Sequence, residues 1–321
     1  MGSAVAGGGW GGLPGAGGAL REAAVGRRPG GLRSWAELVK PRMVFLLSYV
    51  ALASGAMHRP AGAGDWLRVS LATLAVALGS MGCNAITACL DRDIDAVMER
   101  TRSRPVPQGR IPARDALVAG AWLLGLAAAA AATVSCFAGS AWALFWLLFG
   151  AADNVLVYSA WLKRRTPLNI VAGAPAGGAP AAVAASALSG SFLDLPALLL
   201  AALVVLWTPV HIWSLALLHR GDYRRAKVPM LPAVVSVKGS TRCIASASVL
   251  LVLFSVALGR AASAAAAVGW LLAPFHLAIM GLSLYVLFRP TEASARWLFK
   301  YTSPYLAAVC TALALGALLT P

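Results

Sequence analysis

The sequence predicts an all-α integral membrane protein with nine transmembrane helices, and three observations support this fold class. The 321-residue chain is 59% hydrophobic, whereas soluble domains are roughly 45–50% apolar. Runs of roughly 20 apolar residues, the length at which a helix crosses a bilayer, recur along the chain. Most of the 27 Lys and Arg residues cluster in alternate connections between these runs.

Nine apolar runs define the predicted elements in chain order. The predicted spans cover about residues 42–58, 67–89, 115–137, 140–160, 168–188, 195–218, 243–260, 264–288 and 297–319. Residues 1–34 precede them, and their Gly-rich, aperiodic composition predicts a disordered leader. Residues 35–321 are therefore expected to form one polytopic membrane domain.

The distribution of basic residues predicts how the chain is oriented. With the N-terminus inside the cell, 24 of the 27 basic residues lie inside, and only Arg59, Arg68 and Arg260 lie outside. This asymmetry follows the positive-inside rule. It predicts a cytoplasmic N-terminus and an outer C-terminus in the plasma membrane, or in the mitochondrial inner membrane if the source is eukaryotic. The net charge of +15 is thus explained by the lipid bilayer as partner, and no nucleic acid is expected.

Residues 91–105 hold four acids and four arginines at the end of the second apolar run. Asp91 and Asp95 are four residues apart, so on a helix they share one face, and Asn84 falls on the same face. Two aligned carboxylates suit Mg²⁺, which proteins typically hold through one or two carboxylates plus substrate phosphates. The alternative is a helix end held by local salt bridges. The adjoining arginines favour a site for a metal-bridged diphosphate.

A second charged loop, after the sixth run, supplies Asp222 as a third candidate metal ligand on the same side of the membrane. A diphosphate beside carboxylates needs cations besides the metal, and forked arginine side chains suit phosphate oxygens. The candidates for this role are Arg100, Arg104, Lys163 and Arg164.

Two polar residues stand out within the apolar runs. Asn169 opens a segment whose glycines and prolines would loosen the helix, and such backbone is tolerated in a membrane only where it is packed or lines a cavity. His211 lies between Pro209 and Trp213. It is either a hydrogen-bonded core histidine or a contact to a porphyrin, at the iron or at an edge. The five cysteines make no paired motif and are interpreted as small buried residues.

Five stretches of the chain together resemble the UbiA-type intramembrane prenyltransferases, and in detail their heme O synthase branch. They are residues 38–42, 91–110, 162–171, 207–216 and 222–232. Three positions depart from the family pattern. Thr87 stands where the family has asparagine, Leu218 where quinone-type enzymes have a second carboxylate, and Val210 where a second proline is usual.

The resemblance implies nine helices around a central cavity, with active-site loops on the cytoplasmic face. It implies that a farnesyl group passes from farnesyl diphosphate to a vinyl group of protoheme IX, with addition of water, giving heme O and diphosphate. Asp91, Asp95 and Asp222 would bind Mg²⁺, and Lys163 would join them in catalysis. Substrate contacts would come from Asn84, Arg100, Arg104, Tyr158, Arg164, Asn169 and His211. The product could be handed to heme A synthase or to terminal oxidase assembly.

Two alternatives remain open at this point. The same chemistry could act on a quinone precursor or an archaeal lipid, against which His211 and the Asp222 stretch argue. The chain could also be a heme carrier or transporter. A transporter more often shows a repeat with paired broken helices, which we do not find, and a carrier has no need for paired carboxylates beside paired arginines.

Overall fold

The computed structural model describes residues 30–261 and 265–319, and every regular element in these ranges is a helix. Most of the predicted leader, residues 1–29, lies outside the described residues. The first helix begins at Leu32, before the predicted leader ends. The elements are α1 (Leu32–Val39), α2 (Pro41–Met57), α3 (Ala63–Leu90), α4 (Arg92–Val97), α5 (Ala113–Phe137), α6 (Trp142–Ala152), a π-helical segment (Asp153–Leu162), α7 (Asn169–Gly173), α8 (Pro175–Ser189), α9 (Leu195–Leu218), α10 (Arg220–Arg225), α11 (Leu231–Val234), α12 (Val237–Ala261), α13 (Ala265–Phe288) and α14 (Glu292–Leu319).

Within the described residues, eight helical stretches are long and apolar enough to cross a membrane, and the pair α1 and α2, bent by 49°, brings the number to nine. This confirms the predicted fold class. The helices α12 and α14 begin about one and a half turns before their predicted spans. Their first turns carry charged side chains, so hydropathy falls there although the helix continues.

The helices pack as two groups that differ in side-chain size. Buried alanines dominate where α2, α3, α5, α6 and α8 meet. Larger buried side chains fill the contacts of α9, α12, α13 and α14. The crossing of α3 and α5 is closest at Gly82 and Gly120, where a Cβ added to either would lie 2.8–2.9 Å from the carbonyl oxygen of the other. Small residues that let backbones approach are the usual basis of helix packing in lipid.

The chain brings its charged connections together at one end of the bundle. The helices α3 and α9 and the π-helical segment all end there, and the break between α1 and α2 lies there too. We call this the polar end, and it is the end predicted to be cytoplasmic. The opposite end, where α2 ends at Met57 and α9 begins at Leu195, we call the far end.

Candidate active site

The centre of the polar end is a close ion pair between Lys163 and Asp91. The Lys163 Nζ lies 2.5 Å from Asp91 Oδ2, and both side chains are largely buried. Burial opposes the ammonium charge, but the Tyr158 hydroxyl and the Asp91 carboxylate outweigh it and raise the pKa of Lys163. The other carboxylate oxygen, Asp91 Oδ1, is buried and has no hydrogen-bond partner among the described residues. An unpartnered carboxylate oxygen beside a fixed cation is a place where a ligand can bind.

The second predicted carboxylate, Asp95, lies one turn further along the chain and is buried. Its backbone N–H donates to the Asp91 carbonyl at 2.8 Å, so the helix continues past the end of α3 and the two aspartates are one helical turn apart. Arg104 Nη1 donates to Asp95 Oδ2 at 2.9 Å. The loop of residues 98–110 therefore folds back towards α4, so that Arg104 contacts the aspartate pair.

Sequence reasoning missed Lys40 as a residue of the site. It lies between α1 and α2 with a φ of 54°. This left-handed backbone conformation costs energy for any residue other than glycine. Its Nζ donates to Asn84 Oδ1 at 3.4 Å, and Asn84 Nδ2 donates to the Val39 carbonyl at 2.9 Å. The charge of Lys40 interacts with those of Asp91, Asp95, Arg104 and Lys163. The motif of residues 38–42 was the available signal.

Asp222 lies at the same end but has different partners from those expected. Its Oδ1 accepts the backbone N–H of Glu99 and its Oδ2 that of Arg100, both at 3.3 Å. Arg225 also donates to Oδ1. Among the described residues no three His, Cys, Asp or Glu side chains are arranged to hold one metal ion. Each of the three carboxylates instead has its own donors, and Asp222 fastens the 98–110 loop to α10.

The π-helical segment and the span made of α7 and α8 border the site on a second side. Lys163 Nζ lies 5.7 Å from the centroid of the Tyr158 ring. Gly173 packs so closely on Tyr158 that an added Cβ would meet its Cβ at 2.8 Å. Asn169 is fully buried, and its Nδ2 donates to the Lys163 carbonyl at 3.4 Å. Its Oδ1 has no partner within residues 30–261 and 265–319. Asp153 Oδ2 accepts the N–H of Ala176 at 2.9 Å, which holds the start of α8.

Two of the predicted diphosphate ligands lie differently from the others. Arg164 donates from Nη1 to Asp93 Oδ2 at 2.6 Å and from Nη2 to Asp93 Oδ1 at 2.7 Å. Its Nη2 also donates to the Leu90 carbonyl. The hydrogen bonds from the Arg164 guanidinium to Asp93 lower the pKa of this carboxyl to about 2. The Arg100 side chain is exposed and makes no hydrogen bond within the described part of the chain. Its charge nevertheless acts on His219, whose pKa is lowered by burial and by this neighbouring guanidinium.

His211 lies apart from this cluster, about two helical turns into the membrane from the end of α9. Its ring stacks on Trp207, with centroids 4.5 Å apart, and lies 4.7 Å from Phe299 of α14. Its Nδ1 is 2.6 Å from the hydroxyl of Thr302, which also belongs to α14. No motif in the sequence pointed to α14 as its partner.

The chemistry that this geometry allows is the binding of a metal-complexed phosphoanhydride. In the part of the chain that the structure describes, the polar end combines two carboxylates one turn apart, three cations around them and two unpartnered oxygens, on Asp91 and Asn169. Carboxylate and amide oxygens are hard ligands suited to Mg²⁺. The lysine and arginine donors suit phosphate oxygens.

Comparison with known proteins identifies relatives that cover most of this chain. Protoheme IX farnesyltransferase 2 of Cenarchaeum symbiosum (strain A) is 41% identical over 301 residues, covering 88% of this chain and 94% of that relative. The protoheme IX farnesyltransferase of Desulforudis audaxviator (strain MP104C) is 40% identical over 287 residues, covering 86% of this chain and 85% of the relative.

Solved structures share the fold at low sequence identity. A digeranylgeranylglyceryl phosphate synthase superposes with a TM-score of 0.70 at 18% identity, covering 90% of this chain and 99% of that one. A UbiA homologue from Archaeoglobus fulgidus bound to GPP and Mg²⁺ gives a TM-score of 0.62 at 14% identity, covering 87% and 99%. Residues 46–318 match the model of the UbiA prenyltransferase family. The resemblance read from the motifs is thereby confirmed, and this chain belongs to the UbiA prenyltransferase family.

Proposed function

We propose that this chain is a protoheme IX farnesyltransferase, which moves a farnesyl group from farnesyl diphosphate to a vinyl group of protoheme IX and yields heme O and diphosphate. The observation that carries the prenyl-transfer part is the buried, unpartnered Asp91 Oδ1 next to the Lys163 ammonium. The acceptor is supported by the relatives at about 40% identity, which cover most of the chain. A quinone precursor or lipid acceptor is the second candidate.

The residues present fit a bound Mg²⁺. Asp91 offers a buried free oxygen, and Asp95 lies one turn away with only its Oδ2 engaged by Arg104. Asp222 stays a predicted third ligand, although both of its oxygens already accept hydrogen bonds. When bound, the metal would neutralise the diphosphate and stabilise it as a leaving group.

The chain's own cations would hold the same group. Lys163, Arg104 and Lys40 surround the aspartate pair, so each can donate to diphosphate oxygens as negative charge grows on them. Arg100, exposed on the same loop, would reach the group once it is bound. Arg164 would act through Asp93, because both of its terminal nitrogens already bind that carboxylate.

The reaction then follows from placing an allylic diphosphate against an apolar acceptor. The bond between the first farnesyl carbon and the diphosphate oxygen breaks, and its electron pair leaves with the diphosphate. The π electrons of the heme vinyl group form the new carbon–carbon bond. Water captures the cation left on the vinyl carbon and loses a proton, which completes the hydroxyethylfarnesyl group. Apolar surroundings protect the allylic cation from water before the acceptor reaches it.

The proposal also covers the membrane in which the protein lies and the proteins that receive its product. The polar end would face the cytoplasm of a plasma membrane, as the distribution of basic residues predicts. Heme O would leave for an enzyme that oxidises it to heme A or for a terminal oxidase.

Asp91→Asn tests the proposed function, with Asp93→Asn as its control two residues away. Purified protein in liposomes would receive farnesyl diphosphate, Mg²⁺ and protoheme, and heme O would be measured by chromatography and mass spectrometry. We expect Asp91→Asn to lower turnover by about 100-fold or more, the usual scale for losing one electrostatic catalytic group. The exposed Asp93 should change it only a few-fold.

A chelator should abolish turnover, and added Mg²⁺ should restore it. Competing acceptors, a quinone-precursor ring and a glycerophosphate lipid, would be offered in parallel. Prenylation of one of these in place of protoheme would overturn the acceptor. Turnover that survives both Asp91→Asn and chelation would overturn the mechanism, and heme binding without transfer would support a carrier.

A further inference from the structure

The surroundings of His211 decide the protonation of its ring. The Thr302 hydroxyl lies 2.7 Å from the Phe299 carbonyl oxygen and 2.6 Å from His211 Nδ1. A carbonyl oxygen cannot donate, so the short contact between the two oxygens requires the Thr302 hydrogen to lie between them. The Thr302 oxygen is then left only as an acceptor. His211 must donate from Nδ1–H, and in the neutral ring Nε2 carries no proton.

Helix α14, which carries Thr302, also fixes the plane of the His211 ring. Trp207 Nε1 donates to the Thr302 carbonyl at 2.7 Å, and the Trp207 and His211 rings stack at an angle of 16°. Phe299 covers the His211 ring at 4.7 Å. The imidazole is thus held by two aromatic rings, and its edge is the part available to a ligand. Nε2 makes no hydrogen bond to any described residue, while Nδ1 is fully satisfied.

A neutral imidazole with one nitrogen donating a hydrogen bond and the other carrying a free lone pair is the form in which histidine binds a metal. Proximal histidine is also a common ligand of heme iron. A ring that served only to join α9 to α14 would need the Thr302 bond but would have no need of an open Nε2.

We propose that Thr302 is a positioning residue that holds His211 in the Nδ1–H tautomer, so that Nε2 ligates the iron of the acceptor porphyrin. This inference rests on the proposed function, because it takes protoheme as the acceptor. Thr302 would act through His211 without touching the porphyrin. The iron, and not only the shape of the macrocycle, would then contribute to acceptor recognition.

The experiment measures ligation and affinity in the full-length protein in detergent, with protoheme as the probe. Resonance Raman spectra of the ferrous complex report an iron–histidine stretch when a histidine is bound. Affinity would be measured in parallel for protoheme and for metal-free protoporphyrin IX. The variants are His211→Ala, Thr302→Val and Thr302→Ser.

A matched control is available on the same helix. Thr311 accepts a hydrogen bond from the Tyr49 hydroxyl at 2.6 Å and donates to the Ala307 carbonyl, as Thr302 does towards His211 and Phe299. Thr311→Val therefore removes an equivalent bond between helices without affecting His211. Unfolding temperatures of all variants would show whether each one folds.

We expect wild type and Thr302→Ser to show the iron–histidine stretch and His211→Ala to lack it. Thr302→Val should bind protoheme about 10-fold more weakly, the lower end of the usual effect of losing the partner of a metal-binding histidine. Its affinity for metal-free protoporphyrin should not change, and Thr311→Val should bind both as wild type does. A stretch that persists in His211→Ala, or equal protoheme affinities for wild type and Thr302→Val, would overturn the inference.

Turnover separates this inference from the proposed function. If wild type forms heme O and shows no iron–histidine stretch, Thr302 has no such role and the function stands. If wild type binds protoheme through His211 and forms no heme O with any prenyl diphosphate, the ligation stands and the proposed transfer fails.

Discussion

The two ends of the bundle use charge in opposite ways. At the far end, His58 Nε2 lies 2.8 Å from Asp194 Oδ2, and His58 Nδ1 donates to the Ser54 carbonyl at 2.8 Å. Asp194 Oδ1 accepts the N–H of Ala197 and caps α9. Every polar atom of this pair has a partner. At the polar end, the Asp91 and Lys163 pair leaves Asp91 Oδ1 buried, with no partner in the described part of the chain.

This difference separates a structural pair from a binding site. A fully satisfied pair gains nothing from a further ligand, whereas a buried carboxylate with a free oxygen carries a desolvation cost that a cation or a hydrogen-bond donor would remove. The polar end also holds its charges on loops and helix ends, such as Lys40 with its left-handed backbone. The far end holds them at the caps of two spans, His58 after α2 and Asp194 before α9.

Asp222→Asn tests whether the loop of residues 98–110 must be held by Asp222. The effect of this change on turnover should exceed those of Asp194→Asn and Arg164→Met. Asparagine has one acceptor oxygen, so at least one of the N–H groups of Glu99 and Arg100 loses its partner. Arg104 would then be poorly held against Asp95, and misplacement of about 1 Å can cost about 100-fold. We expect roughly 10- to 100-fold lower turnover and faster trypsin cleavage in the loop.

The same variant sharpens what Asp222 does. If it is a metal ligand, the Mg²⁺ concentration for half-maximal turnover rises and the loop stays resistant to trypsin. If it fastens the loop, cleavage accelerates and the Mg²⁺ requirement stays the same. Asp115→Asn, an exposed acid at the polar end, should change neither.

The long apolar runs allowed the spans to be predicted, because a helix must satisfy its backbone inside the bilayer whatever its neighbours are. Spacing also predicted that Asp91 and Asp95 stay one turn apart. The π-helical segment before Lys163 was not predictable from hydropathy; in the structure its Tyr158 packs closely against Gly173 of α7. Nor was the partner of Asp222, because backbone N–H groups leave no mark in a sequence.

Charge pairing was the least predictable feature of the site. Residues 163 and 164 are neighbours of like charge, yet Lys163 turns to Asp91 and Arg164 to Asp93. Periodicity places Asp93 away from Asp91, but it does not determine which cation reaches Asp93. Lys40 was overlooked because its role comes from the bend of the chain between α1 and α2 and not from a run of acids or bases.

The far-end pair predicts a pH dependence of stability. Burial opposes the charge on His58, but its bonds to Asp194 and Ser54 raise its pKa above 6.5. The histidine's contribution is therefore complete below pH 6.5 and is lost as the pH rises through the folded pKa. Burial likewise opposes the charge on Asp194, but its bonds to His58 and Ala197 lower its pKa below 3.8, so its contribution is lost only in stronger acid. The pair should stabilise most between pH 3.8 and 6.5.

Asp194→Asn should remove this dependence and keep the cap of α9, because asparagine is also a good N-cap. We expect a loss of about 1.5–3 kcal/mol at pH 6, the scale of a hydrogen bond to a charged group, with little loss near pH 9 and unchanged turnover. Thermal unfolding across this pH range measures it. Asp65→Asn, which affects a partly exposed pair with Arg68 at the same end, should leave the pH profile as in wild type. A parallel fall in turnover would show that the two ends are coupled.

Arg164→Met should have the smallest effect, and it tests the position of one predicted diphosphate ligand. Its partner Asp93 is 66% exposed and Arg164 itself 41%, and exposed pairs of this kind contribute about 0–1 kcal/mol. If Arg164 only pairs with Asp93, turnover and the Michaelis constant for farnesyl diphosphate should change less than about 3-fold. This change is far below the roughly 100-fold loss expected for a group that stabilises the leaving diphosphate. Arg165→Met, an exposed neighbour, provides the baseline. A 10-fold or larger rise in the Michaelis constant in Arg164→Met alone would mean that the guanidinium leaves Asp93 when the substrate binds, and that the polar end gains a fourth cation for the diphosphate.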